Sequence, residues 1–272
     1  MSVEDRGLLS YLQQEFVSSA LESNELQGKD GSRIVLKIAV HSTVGCDPAP
    51  CASCAGFIAL LHADKAITLS FRGTNTLAQL VKETEQTLFH KKIPWIAGGY
   101  VSKYFHNAFN AVWNGGIKDK FEDLLKTYPA YAIWVTGHSL GGSMASLAAS
   151  YIVANGYVNA SKVKLVTFGQ PRTGDSDYAR ALNEKVPYSF RIVHRRDIIP
   201  HFPLTCKNYS HHDSEVRPRH HGKAQQLKSL MKGFRQFFVN ILSPWKLNGA
   251  VRDHTHEKLS EKFSDTYDRE GG

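Results

Sequence analysis

The chain has 272 residues, 33 Lys and Arg against 25 Asp and Glu, a formal net charge of +8, 42% hydrophobic and 21% charged residues. That length and balance suit one large α/β domain with a substantial core, and they exclude a fibrous or intrinsically disordered chain. No apolar run approaches membrane-spanning length, so no transmembrane helix is expected.

Residues 1–30 carry a helical pattern at Leu8, Leu9 and Leu12 that ends near Gly28. The start, Met1-Ser2-Val3-Glu4-Asp5-Arg6, is acidic and polar, without the basic and then apolar order of a secretion signal. Residues 34–40 read as a strand. Residues 56–61 and 66–71 read as two more, joined as a hairpin by the polar turn His62-Ala63-Asp64-Lys65. Residues 76–90 suit a helix. From Ser102 to Tyr128 the period is helical, broken at Gly115-Gly116 and stopped by Pro129. A short buried strand over 131–136 precedes a helix from Leu140 to Ala154. Then follow a strand at 162–168, a helix near 176–184 and a strand at 188–193. Strands alternating with helices imply a mostly parallel central sheet flanked by helices, with right-handed crossovers. The chain divides into an N-terminal segment (1–30), an α/β core (31–216) and a divergent C-terminal segment (217–272), with no linker between them.

Cys46, Cys51, Cys54 and Cys206 are even in number, and three lie close together. Disulfides in an exported protein are the favoured reading, with free thiols next. Half a zinc site at Cys51 and Cys54 lacks a second pair at the right spacing, so no metal site is expected. Asn159-Ala160-Ser161 and Asn208-Tyr209-Ser210 are glycosylation sequons, informative only in a secreted chain. Six of the eight excess positive charges fall after Phe190, where 15 Lys and Arg face 9 Asp and Glu. They are dispersed among His, Pro and aromatic residues with no nucleic-acid motif, so a solvated surface is expected and no nucleic-acid partner. Attraction to anionic lipid surfaces is a further option.

The most informative stretch is Val135-Thr136-Gly137-His138-Ser139-Leu140-Gly141-Gly142. It is a Gly-x-Ser-x-Gly motif between a strand and a helix, the context of a nucleophile elbow. Ser139 is lifted clear of the backbone on a tight turn, and the helix N-terminus aims N–H groups at whatever it attacks. A serine nucleophile needs a base, and the base an orienting carboxylate. Asp197, just past the strand ending at Val193, lies at the carboxyl edge of the sheet and is the candidate orienter; Asp175 and Asp177 are weaker rivals. The base lies further downstream. His201, His211, His212, His220, His221, His254 and His256 all qualify, and the residues alone do not choose among them. The oxyanion of the reaction needs two donors. The Leu140 N–H is one, and Thr74, in the stretch Ser70-Phe71-Arg72-Gly73-Thr74 where a strand ends and Gly73 permits a tight turn, suits the other.

Four blocks, Ser70-Phe71-Arg72-Gly73-Thr74, Gly137 to Gly142, Phe168-Gly169-Gln170-Pro171-Arg172 and Val193-His194-x-x-Asp197-x-x-Pro200-His201, occur in the order found in class 3 lipases. From about Cys46 to His212 the chain resembles that family, the fungal-type triacylglycerol lipases of the α/β-hydrolase fold, and looks closest to its nematode members. The resemblance implies Ser139 as nucleophile, Asp197 as orienter, Thr74 and Leu140 as oxyanion donors, and a lid helix over about 75–90. It also implies secretion, although the chain as read begins without a signal peptide. The family's base sits in an Asp-His motif followed by an aromatic residue. Asp253-His254-Thr255-His256-Glu257 is the matching stretch, without the aromatic and at a family-like spacing, His254 lying 57 residues after Asp197. His254 is therefore the implied base and His256 the alternative. The expected activity is carboxylic ester hydrolysis through an acyl-enzyme, without metal or cofactor, on glycerolipid or another ester at a lipid–water interface. Two other outcomes stay open: a lipid-binding protein with a broken triad, and an esterase for soluble esters.

Overall fold

A computed structural model describes residues 26–27, 33–34, 36–45, 53–62, 64–72, 91–193 and 197–216. Two small hairpins stand apart from the main sheet: β1 (Leu26–Gln27) with β2 (Arg33–Ile34), and β6 (Lys92–Pro94) with β7 (Tyr100–Ser102). The other strands are β3 (Leu36–Gly45), β4 (Ser53–Leu61), β5 (Ala66–Phe71), β8 (Ala132–His138), β9 (Val163–Phe168), β10 (Ser189–Ile192) and β11 (Glu215–Val216). Among the described residues, these seven form one sheet in the order β11-β10-β9-β8-β5-β4-β3. From β5 to β11 neighbours run parallel, and β3-β4-β5 form an antiparallel extension.

The mostly parallel sheet with packed helices is the arrangement that the alternation of elements calls for. The β4-β5 hairpin, the strand before Ser139 and the helix after it lie where the residue pattern puts them. β8 runs two residues past the expected end, to His138, because its pairing with β9 continues through His138 and Phe168. Leu26 and Gln27 are extended, whereas the residue pattern predicts a helix running on to Gly28; pairing with Arg33 and Ile34 overrides a weak local helical pattern. The strands β6, β7 and β11 are too short to show a period in sequence. The expected helix at 76–90 and the helical pattern at Leu8–Leu12 lie outside the described residues.

Three of the described helices contribute a large share of the core. α1 (Lys103–Val112) buries Tyr104, Phe105, Ala108, Phe109 and Val112, one face at helical spacing. The helical run breaks at Gly115-Gly116, where Gly116 has φ 118°, and resumes as α2 (Lys118–Thr127), which ends before Pro129. α3 (Leu140–Ala154) is apolar or small all round and buried on nearly every side, as a helix at the centre of a fold must be. It packs on β8, β9 and β5, and α1 packs on it. Trp95, Phe109, Trp113 and Tyr151 meet with ring centroids 5.6–6.1 Å apart. Each fully buried large side chain contributes about 1.5–3 kcal/mol of transfer free energy, so this cluster anchors α3 against α1. α4 (Ser176–Lys185) follows β9. No described helix is long and apolar enough to cross a membrane.

Candidate active site

Ser139 stands at the junction of β8 and α3 with φ 56° and ψ −122°, a left-handed conformation that a residue with a side chain adopts only under constraint. The constraint is visible on both sides. A Cβ on Gly137 would run into the Gly141 carbonyl, and one on Gly141 would run into the Phe71 carbonyl. The two glycines thus let strand, turn and helix close on one another. The Ser139 N–H donates to Phe168 O at 2.9 Å, and Ser139 O accepts from Gly142 N at 2.9 Å. The side chain is held at the carboxyl edge of the sheet, 5% exposed.

Leu140 opens α3, so its N–H has no carbonyl one turn earlier in the helix and lies beside Ser139. Phe71 closes β5, and the backbone of Phe71 and Arg72 is what a Cβ on Gly141 would strike. The end of β5 at Phe71 and Arg72 therefore lies alongside the first turn of α3. Thr74 itself, the lid stretch 75–90, and His254 and His256 lie outside the described residues.

Asp197 sits over the end of the neighbouring strand. Its Oδ1 accepts the Ile199 N–H at 3.0 Å, and its Oδ2 lies 2.5 Å from where a Cβ of Gly169 would be. Gly169, with φ 55°, follows β9 directly and donates its N–H to Ile192 O at 2.9 Å. His138 and Phe168 are register partners, so Ser139 and the seat of Asp197 are neighbours on one edge. The His138 ring faces the same spot, with Nε2 3.5 Å from it.

The two rival carboxylates are engaged elsewhere. Asp175 caps α4: its Oδ1 accepts the N–H of Tyr178 at 2.9 Å and of Tyr100 at 3.1 Å. Asp177 is exposed and pairs with Arg180 at 2.6 Å. Two of the downstream histidines are also accounted for. The His211 Nε2 meets Pro200 O at 2.7 Å, and burial together with the nearby Arg191 pushes this imidazole down to about 3. His212 is 3% exposed and held well below the usual range by burial and by Arg191. Burial and the nearby guanidinium disfavour the cation that a base in ester hydrolysis must form, which weighs against both as the base. His201 is exposed, just beyond Asp197.

Several supporting residues carry no signal in the sequence. Thr167 Oγ1 donates to Gln170 Oε1 (2.7 Å), Gln170 Nε2 to Thr173 Oγ1 (3.1 Å), and Thr173 Oγ1 to Ser143 Oγ (3.1 Å). Tyr178 OH extends the chain to Ser146 Oγ at 3.0 Å. This buried relay joins the loop after β9 to the first turns of α3, behind Ser139. Arg172 holds the Asp197 loop through bonds from Nη1 to the carbonyls of His201 and Pro203. Isolated polar residues in an apolar stretch have no period, so only the tertiary contacts bring these out.

Cys54 is disulfide-bonded, which leaves no half zinc site there, and Cys206 is an exposed free thiol; Cys46 and Cys51 lie outside the described residues. Among the described residues no cluster of His, Cys, Asp and Glu could hold a metal ion.

A strained serine between a parallel strand and a buried helix, with a carboxylate over the next strand, defines an α/β-hydrolase fold. Residues 68–207 match the family model for lipase (class 3), and the chain belongs to that family. It is 40% identical over 158 residues to a lipase of Caenorhabditis elegans, covering 58% of this chain and 44% of that protein. It is 34% identical over 155 residues to a lipase of Rhizomucor miehei, covering 56% and 41%. The solved structure of Rhizomucor miehei triacylglyceride lipase superposes with a TM-score of 0.63 at 25% identity, over 82% of this chain and 83% of that one. A triacylglycerol lipase described as having a serine protease triad at its catalytic centre gives 0.59 at 29% identity, over 69% and 68%. The chain spans less than half the length of these two curated relatives.

Proposed function

We propose that this chain is a carboxylic ester hydrolase of the triacylglycerol lipase type, acting on glycerolipid at a lipid–water interface. The observation that carries the reading is Ser139 itself. Its left-handed backbone is a strain that folding alone does not require, and it presents the hydroxyl beside the N-terminus of α3. Ser139 Oγ attacks the ester carbonyl as His254 takes its proton. Asp197 keeps the imidazole in the productive tautomer and stabilises the cation that forms. The tetrahedral oxyanion is received by the N–H of Leu140 and by Thr74. The protonated base then delivers its proton to the departing alcohol, and water, activated in turn, releases the fatty acid. The scheme needs neither metal nor cofactor.

Export is part of the proposal. A disulfide at Cys54 suits an oxidising compartment, and Asn159 and Asn208 of the two sequons are both exposed. Apolar residues Leu77, Leu80, Val81 and Leu88 are proposed to line a lid that turns outward at a lipid surface.

The test is a serine-directed phosphonate probe followed by mass mapping. Adduct formation on Ser139, abolished in Ser139→Ala, supports the reading. An unlabelled chain that also fails to hydrolyse a short-chain nitrophenyl ester points instead to a lipase fold without its chemistry. Activity that jumps when the substrate passes its solubility limit marks a lipase, whereas smooth saturation marks an esterase for soluble esters.

A further inference from the structure

We propose that His211 is a positioning residue for Asp197: the N–H at its Nε2, given to the carbonyl of Pro200, fixes the loop on which the Asp197 carboxylate is seated. The proposal rests on the ester-hydrolase reading above, which makes Asp197 the orienter.

Asp197 does not lie in a regular element. It precedes a single turn of 3₁₀ helix at Ile199–His201, and one of its oxygens is tied to the first N–H of that turn, Ile199, at 3.0 Å. The direction of the carboxylate is therefore the direction of the turn. Two side chains from distant parts of the chain hold the turn in place. Arg172, following the loop after β9, grips the carbonyls of His201 and Pro203, and its own N–H meets Phe202 O at 2.7 Å. His211 grips Pro200 at 2.7 Å. Pro200 is buried, so its carbonyl needs a protein donor.

A carbonyl only accepts, which fixes the tautomer: the proton is on Nε2. The other ring nitrogen, Nδ1, is enclosed with no hydrogen-bond partner among the described residues. An imidazole used for packing alone would be outdone here by an apolar side chain, which leaves no such atom stranded. The ring is retained for the bond it makes at Pro200.

The groups that face it keep that bond constant. Arg191 and Arg172 repel a proton, Glu215 attracts one, and burial disfavours the cation. Together they favour the neutral imidazole, the form whose Nε2 proton Pro200 receives. Arg191 also places the ring. It is 4% exposed, its Nε donates to His212 O at 2.9 Å, and its guanidinium pairs with Glu215 at 3.3 Å. Residues 212–216 are thereby laid along β10, with Arg191 in register with Glu215, and His211 is brought beneath the turn.

The experiment compares His211→Leu and His211→Gln with the parent in the full chain, on a soluble nitrophenyl ester, measuring kcat and KM across pH together with thermal melting. Leucine fills the space without the donor, whereas the amide N–H of glutamine reaches about as far as Nε2. His211→Leu is expected to lower kcat by about 100-fold with KM unchanged, the scale of a small misplacement of a catalytic group. It should also move the acidic limb of the kcat/KM profile to lower pH, because a carboxylate turned away from the base no longer raises its pKa. His211→Gln should restore both. A folded His211→Leu with parental kcat and limb overturns the inference. So does a fall in rate that leaves the limb in place and is not restored by glutamine, since that is loss of folded enzyme only. If His211→Leu does not fold, His211→Asn, whose amide is too short to reach Pro200, is read in its place. A parent that hydrolyses nothing overturns the ester-hydrolase reading and this inference with it, whereas an active parent with indifferent variants overturns the inference alone.

Discussion

Ser139 and Asp197 stand side by side on one sheet edge, yet they are held there by different means. The serine is fixed by its immediate neighbours: Gly137, Gly141 and the β8-to-α3 turn leave the backbone one way to pass. The aspartate is fixed from afar. Gly169 makes room for its carboxylate, while Arg172 and His211 hold the turn after it. A strained backbone needs small residues within a few positions of itself, whereas a loop needs donors that can arrive from anywhere in the chain. The serine is thus robust to changes elsewhere, and the aspartate is exposed to them.

The comparison breaks most cleanly at the serine. Ser139→Ala keeps the turn, since alanine suffers the same left-handed backbone, and should lower turnover on the order of a million-fold, with the melting temperature nearly unchanged. Residual hydrolysis near the parental rate, measured on a nitrophenyl ester, would remove Ser139 from its role. Gly169→Ala tests the acid without touching it. The new methyl lands 2.5 Å from Asp197 Oδ2 at a φ of 55°. The left-handed alanine should cost about 1–2 kcal/mol in denaturant unfolding. Displacing the carboxylate should lower kcat by about 10³- to 10⁴-fold, as wrong orientation of the base does in a triad. An unfolding loss without the kinetic one would mean that Asp197 is not the orienter. Asp175→Ala, the smallest effect, separates a structural carboxylate from a catalytic one. It removes the α4 cap and should cost about 1–2 kcal/mol of stability. Hydrolysis by the folded fraction should match the parent, and a large loss of kcat would return Asp175 to contention.

Much of this site is legible in the residues themselves. The Gly-x-Ser-x-Gly stretch singles out Ser139 as the candidate nucleophile because strain must be relieved locally, so its glycines lie within two residues of it. The buried strand and the all-apolar helix around it follow from composition. The position of Asp197 at a strand's carboxyl end follows from counting strands. Spacing does not separate Asp197 from Asp175, because both follow strands of the same sheet. The hydrogen bonds add what spacing lacks: Asp175 is occupied by the N–H groups of Tyr178 and Tyr100.

What the sequence by itself determined is the alternation of strand and helix, the elbow and its serine, since period, glycine and local strain act over a few residues. Tertiary structure decided how the rest is shared out. It tied Cys54 into a disulfide and left Cys206 a free thiol, turned Leu26–Gln27 into a strand, and buried His211 and His212 where the imidazolium is disfavoured. Each of these depends on partners beyond the immediate neighbours in the chain. An imidazole is a base or a silent hydrogen-bond donor according to what it is buried against, and no local pattern carries that information.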